Sequence, residues 1–229
     1  MKGIFVTGTD TGVGKTYSAC ALIHALRRAG ERVFPMKPIA AGAEVYEGRW
    51  ANSDTVALLR AADIASEMLE RVTPVLLREP MAPHIAARRE GRSISLEAVL
   101  AARSQVPVKD FLVVEGVGGF LVPLDERTDT ADLARALALP VVLVVGMRLG
   151  CLNHALLTAR AIAEARLPLA GWIANHVDPA MSVPDENVAA LRERLAAPLL
   201  GRLVFSAAPD PRAAAAALDV TPLLAANHR

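Results

Sequence analysis

Gly8-Thr9-Asp10-Thr11-Gly12-Val13-Gly14-Lys15-Thr16 is the stretch on which the reading of this chain turns. It follows the short apolar run Ile4-Phe5-Val6, which reads as a buried strand. It opens a helical stretch from about Thr16 to Ala29, closed by Gly30. Strand, glycine-rich turn and helix form the context that a phosphate-binding loop needs. Glycines let the backbone curl so that successive N–H groups point inward at phosphate oxygens. The helix start adds roughly half a positive charge. Lys15 brings a compact point charge to the β- and γ-phosphates, and Thr16 offers a hydroxyl to Mg²⁺. The spacing departs from the general pattern: five residues separate Gly8 from Gly14, and Thr9 stands where the strict motif has Gly.

Outward from the loop, strand and helix signals alternate. Arg32 to Met36 reads as a second strand, residues 40–53 as Gly-rich and polar loop, and Asp54 to Ala62 as a helix capped by Ser53 or Asp54. Residues 66–108 carry mixed helical signals broken by Pro74, Pro80 and Pro83. Phe111 to Val114 is a strand, and Gly116-Val117-Gly118-Gly119 is a second glycine loop. Thr130 to Leu139 is helical, and Val141 to Val145 is a strand of consecutive β-formers. Cys151 to Arg166 reads as a long helix, Leu169 to Ala174 as a strand, residues 185–196 as a helix and Leu203 to Phe205 as a last strand. The Ala213–Ala217 run reads as a peripheral helix. This alternation predicts an α/β fold, P-loop NTPase-like, with a mostly parallel central sheet and helices on both faces. A single domain over residues 1–229 is expected, since domains of this class often run past ~200 residues.

Composition narrows the function classes. Lys and Arg total 25 and Asp and Glu total 24, a balance without the basic excess that nucleic-acid or membrane-surface binders carry. Five Phe, two Trp and two Tyr offer few platforms for stacking bases. The longest apolar run, Ala136 to Met147, contains Pro140 and Gly146 and has 12 residues, short of the ~20 a spanning helix needs. The run after Lys2 is too short for the apolar region of a signal peptide. Cys20 and Cys151 form neither a disulfide framework nor a metal spacing, so the reading is a reduced, cytoplasmic protein.

Three further residues draw notice on chemical grounds. Only four of the 25 basic residues are Lys, and one of them, Lys37, ends the second strand before Pro38. Carboxyl ends of strands in open α/β sheets face the ligand crevice, so Lys37 reads either as a site residue or as a strand-end surface lysine. Phe111-Leu112-Val113-Val114-Glu115-Gly116 has the form of a Walker B strand, in which four apolar residues carry one acid to the crevice. Mg²⁺ takes one or two such carboxylates together with phosphate oxygens. Asp54 reads equally as a second carboxylate ligand or as a helix cap.

The chain resembles the dethiobiotin synthetase family. The markers are VTGTDTGVGKT at 6–16, MKPIAAG at 36–42, NSD at 52–54, EPMAPHIAA at 79–87 and LVVEGVGG at 112–119. PVVLVVGMRLGCLNHALLTA at 140–159, LAGWIANHVDP at 169–179 and APLLG at 197–201 continue it. The long phosphate-loop spacing is a feature of that family, and residues 66–78, 92–109 and 207–229 match weakly.

The resemblance implies an ATP- and Mg²⁺-dependent ring closure. A vicinal diamine, 7,8-diaminononanoate, takes up CO₂ as a carbamate. The carbamate is phosphorylated to a carbamic–phosphoric anhydride, and the second amine then displaces phosphate to close the ureido ring. Lys37 and Lys15 are implied as the catalytic cations, Thr16, Asp54 and Glu115 as the metal ligands, and Gly12 to Tyr17 (through Val13, Gly14, Lys15 and Thr16) as the phosphate cradle. Gly116, Val117 and Gly118 are implied beside the nucleotide. Asn175 and His176 are implied at the purine, with Val204, Phe205 and Ser206 nearby. Thr11, Lys37 and Ala41 are implied at the diamine, and Gly150, Cys151, Leu152 and Asn153 as the anchor of its far carboxylate across a homodimer interface.

Two departures remove side-chain contacts. Ala41 stands where some members have Ser, and Gly12 where others have Glu. A cobyrinic-acid-type amidating synthetase would need a glutaminase domain for which 229 residues leave no room. A partition or cell-division switch ATPase would carry an extra Lys early in the loop, and positions 8–13 hold none.

Overall fold

The computed structural model describes residues 2–226. Ten strands and ten helices follow one another among them. In chain order they are β1 (Gly3–Gly8), α1 (Lys15–Arg28), β2 (Val33–Met36), β3 (Ile39–Ala41), β4 (Glu44–Tyr46) and β5 (Arg49–Ala51). Next come α2 (Ser53–Ala62), α3 (Leu69–Val72), β6 (Val75–Leu77), α4 (Pro83–Arg89), α5 (Leu96–Ser104), β7 (Phe111–Glu115) and α6 (Thr130–Leu137). The last are β8 (Val141–Met147), α7 (Cys151–Glu164), β9 (Leu169–His176), α8 (Pro184–Arg194), β10 (Leu199–Leu203), α9 (Pro211–Ala214) and α10 (Thr221–Ala226).

Six strands form one sheet in the order β10-β9-β8-β1-β7-β2, and every pairing in it is parallel. The period-two rule of strands divides its side chains cleanly. Ile4 and Val6 of β1, Phe111 and Val113 of β7, and Val142 and Val144 of β8 pack with α1 residues Ala19, Leu22 and Ile23 on one face. On the other face Phe5, Leu112 and Val114 meet Leu133 and Leu137 of α6. Leu143, Val145 and Trp172 on that face meet Ala155 of α7 and Leu191 of α8. A strand buried on both faces must be apolar at every position, which is why β8 reads as a continuous apolar run. Burying each such large side chain contributes about 1.5–3 kcal/mol, so helices on both faces are needed to cover the sheet.

The structure corrects several local expectations. Residues 40–53 are not plain loop: β3 pairs with β6 in a small parallel sheet, and β4 and β5 form a hairpin. Both devices are short, with three residues per strand, and leave little periodic signal. The cap of α2 is Asn52, whose side chain accepts from the Asp54 N–H at 3.0 Å, rather than Ser53 or Asp54. The last strand ends at Leu203, so Val204 and Phe205 lie beyond it and are exposed. Among the described residues no helix is long and apolar enough to cross a membrane.

Candidate functional site

The carboxyl ends of β1, β2 and β7 open onto a cavity of about 780 Å³. Its centre lies where the strand order reverses around β1, the place where open α/β sheets hold ligands. The phosphate loop walls one side. Lys15 and Thr16 open α1 there, and Gly14 enters the helix at φ +81°, a left-handed conformation that a Cβ would strain. Thr11, Gly12 and Gly14 line the same wall, and the Lys15 ammonium donates to Asp10 O at 2.9 Å.

Sheet register builds the floor. Met36 of β2 stands beside Val114 of β7, so the next residues, Lys37 and Glu115, are neighbours at the strand tips. Lys37 Nζ lies 2.6 Å from Glu115 Oε1 and 2.8 Å from Asp54 Oδ2. Thr16 Oγ1 donates to the same Glu115 oxygen at 2.9 Å. Asp54 comes from the first turn of α2, which Asn52 fixes twice. Its carbonyl oxygen caps the helix, and its amide donates to Ala41 O and Gly42 O, both at 3.1 Å. One side chain thereby ties the helix that carries Asp54 to the β3 end that carries Ala41.

Charge in this floor is strongly coupled. Burial opposes the Lys37 ammonium, but the Glu115 and Asp54 carboxylates outweigh it and hold its pKa above the ordinary lysine value. Burial also works against ionised Asp54, yet Lys37 holds that carboxyl below its usual range. Glu115 is 0% exposed, and burial pushes its pKa up against the pull of Lys37. Burial lowers Lys15 to about 8, with Glu115 pulling the other way and Lys37 adding to the depression. A loop lysine so poorly solvated lacks an anion, and phosphate oxygens would supply one.

The residues fit a magnesium ion. Thr16, Asp54 and Glu115 bring hard oxygen donors to one point, and Glu115 Oε2 is buried without a hydrogen-bond partner. Two carboxylates and a hydroxyl are what Mg²⁺ takes from a protein when phosphates and water complete its shell.

The expected site residues are not all brought together. Lys37, Ala41, Asp54, Glu115, Val117 and Gly118 line the cavity with the loop. Gly116 reaches it through its carbonyl oxygen, 3.5 Å from Lys37 Nζ. Val13 turns its side chain inward and is buried, and Tyr17, in the first turn of α1, packs against the core rather than lining the cavity. Asn175 lies behind the loop, 5% exposed, donating to Val13 O at 2.8 Å. His176, at the end of β9, is half-buried. Val204 to Ser206 and Gly150 to Asn153 are outside the cavity lining, and Leu149 before the latter is 97% exposed.

Four elements of the site lie outside the sequence reading. Asn52 was hidden because Asn, Asp and Ser are equally good caps, so residue type alone could not choose among three in a row. Pro80-Met81-Ala82-Pro83 form an apolar cavity wall, a role that neither the helix-breaking prolines nor the family marker at 79–87 assigns them. Val122 adds to that lining from the segment after the second glycine loop. Asp10 and Arg148 pair at 2.6 Å across the loop mouth, 138 positions apart in sequence and invisible to any local pattern.

Comparison with known proteins gives the family and the fold. The family described as AAA domain matches residues 2–209. The ATP-dependent dethiobiotin synthetase BioD of Aromatoleum aromaticum is 56% identical over 215 residues, 93% of this chain and 95% of its own. Among solved structures, the signal recognition particle receptor FtsY of Elizabethkingia anophelis, in complex with GDP, has a TM-score of 0.50 at 15% identity. That match covers 92% of this chain and 58% of the receptor, so the chain spans little more than half the receptor's length. The MinC:MinD cell division protein complex of Aquifex aeolicus has a TM-score of 0.50 at 16% identity, over 90% of this chain and 82% of that one. At such identities these two likenesses concern the fold, which is P-loop NTPase-like.

Proposed function

The chain belongs to the AAA-domain family and, within it, to the ATP-dependent dethiobiotin synthetases, and we propose that its described residues act as one domain that closes the ureido ring of dethiobiotin. It is a ligase of biotin biosynthesis that uses ATP and works on small molecules. The observation that carries the mechanism is the Lys37 ammonium, 2.6 and 2.8 Å from two carboxylates and on the same cavity as the phosphate loop.

The chemistry asks for two anions to meet. A carbamate oxygen must approach the γ-phosphorus, and at ~4 Å two unit charges repel by about 4 kcal/mol at an effective dielectric of 20. Lys37 and Lys15 supply cations on either side of that encounter, preorganised by hydrogen bonds rather than by solvent. Mg²⁺ held by Thr16, Asp54 and Glu115 would neutralise the β- and γ-phosphates. Thr11, Ala41 and the Pro80 to Pro83 wall border the space for the diamine, whose chain is aliphatic and suits an apolar lining. The carbamate oxygen forms the new bond to phosphorus as ADP leaves. The free amine then attacks the carbonyl carbon, and phosphate departs with the C–O electron pair and takes up the proton the amine loses. Such a sequence needs positioning more than acid–base catalysis.

The purine lies beyond the loop, toward His176 and Val204 to Ser206, where Val204 and Phe205 present exposed apolar surface. The far carboxylate of the diamine is held by Gly150 to Asn153 of a second copy in a homodimer. The exposure of Leu149 before α7 and of Leu157 midway along it supports that arrangement, since large exposed apolar groups are covered in an assembly. Free, buried Cys20 and Cys151 support a reducing, cytoplasmic location.

The test is a product assay with 7,8-diaminononanoate, bicarbonate, ATP and Mg²⁺. Formation of dethiobiotin and ADP in equal amounts is expected. ADP formed at the same rate without the diamine would overturn the reading.

A further inference from the structure

Val13 is seated in the sheet as a peg. Its side chain is 1% exposed and lies over the tips of β1 and β8. A Cβ added to Gly8 would come within 2.6 Å of one Val13 methyl, and one added to Gly146 within 2.8 Å of the other. The two methyls therefore fill the space that two absent side chains leave. The Val13 carbonyl is held as well, accepting from Asn175 Nδ2 at 2.8 Å. Asn175 stands beside Gly146 in the sheet register, so β1, β8 and β9 grip one residue from three sides. Gly14 follows, and a Cβ there would fall on the Asn175 amide.

This grip sets the direction of a donor. In a trans peptide the C=O and the next N–H point in opposite directions. With Val13 O drawn inward onto Asn175, the Gly14 N–H is aimed outward, toward the cavity that Gly14 lines. Aiming the donor in advance removes part of the ordering cost that a slack loop would bear on binding a triphosphate.

We propose that Asn175 is a positioning residue for the phosphate loop: its amide and the Gly8–Gly146 notch fix the Val13 peg, and with it the loop's phosphate donors. The proposal rests on the reading of residues 8–16 as a triphosphate site. It differs from purine recognition by Asn175, because the brace acts on any ligand with phosphates and on none that lacks them.

The experiment measures binding of inorganic tripolyphosphate and of ATP, each with Mg²⁺, by titration calorimetry on the full chain. Asn175→Ala removes one neutral hydrogen bond and leaves a buried carbonyl without a donor, so tripolyphosphate should bind roughly tenfold more weakly. Gly146→Ala leaves Asn175 intact and pushes on the peg, and should weaken tripolyphosphate to a similar degree. Should that variant not fold, Val13→Ala loosens the same seat and takes its place. In steady-state assays of Asn175→Ala the KM for ATP should rise while the KM for the diamine stays. A merely structural loss of active protein would lower kcat and move neither constant. Unchanged tripolyphosphate affinity in Asn175→Ala, with ATP binding weakened, would overturn the brace and make Asn175 a reader of the base. Failure of the wild-type chain to bind tripolyphosphate at all would overturn the triphosphate site itself, and the brace with it.

Discussion

The floor of the cavity and its outer rim are built on opposite plans. On the floor, Lys37, Asp54, Glu115 and Thr16 hold one another through contacts of 2.6 to 2.9 Å, and Asn52 locks the elements that carry them. At the rim, Leu149 is 97% and Val204 75% exposed, and neither Gly150 to Asn153 nor Val204 to Ser206 reaches the cavity. Charge that must be ready when substrate arrives is fixed inside one chain. Recognition that, on the proposed reading, a nucleoside or a second copy completes is left open. Preorganisation is valuable where charge develops, because dipoles that are already placed cost nothing to reorient during reaction.

Breaking the floor should have the largest effect. Lys37→Ala removes the cation between two carboxylates, one of them fully buried, and kcat should fall on the order of 10³-fold. Removing one partner of a buried pair also costs about 3–5 kcal/mol when the other charge stays unpaired, so the denaturation midpoint should drop. Near-wild-type kcat in a folded Lys37→Ala would remove the lysine from the chemistry and leave the floor a structural ion cluster.

Glu115→Gln comes next. Partners outside the first coordination sphere change metal affinity by ~10–100-fold, and a direct ligand should do no less. The Mg²⁺ concentration for half-maximal rate should therefore rise at least about tenfold, and an unchanged Mg²⁺ titration would take Glu115 out of the ligand set. Asn52→Ala should be milder, with a loss of about 1–2 kcal/mol in chemical denaturation from the missing cap and tethers. A larger rise in the diamine KM than in the ATP KM would show that the tether to Ala41 O matters more than the cap.

The same contrast explains what the sequence disclosed. The phosphate loop, the Walker B strand and the parallel sheet were legible because each is local: glycine spacing, four apolar residues before Glu115, a run of β-formers in β8. The residues alone leave Lys37 either a site residue or a strand-end surface lysine, since its partners come from β7 and α2, which the fold alone brings beside it. Asp54 could not be separated from a cap until Asn52 was seen to take that task. The sequence places the last strand at Leu203 to Phe205 because β-formers there outweigh Leu199-Leu200-Gly201-Arg202-Leu203, whose pairing with β9 shifts register between Leu199 and Gly201. Val13 looked like one more loop residue, and only the glycines opposite it show that it is a peg.

The smallest expected effect lies where floor and rim meet. Arg148 follows β8, and the Cys151 N–H that opens α7 donates to its carbonyl at 3.0 Å. Its guanidinium pairs with Asp10 at 2.6 Å, and Asp10 in turn accepts from Lys15 through its backbone oxygen. The pair is half-exposed on both sides, so its own contribution to stability is below ~1 kcal/mol and is screened by salt. Arg148→Ala should leave the melting temperature almost unmoved. If the pair steadies Asp10, and through it Lys15, the KM for ATP should rise by no more than about fivefold at low salt. That difference from wild type should shrink as ionic strength passes ~0.15 M, where charges 8 Å apart are already screened. An increase that persists at high salt would mean that Arg148 acts through packing at the start of α7, and the ion pair would then be incidental to the loop.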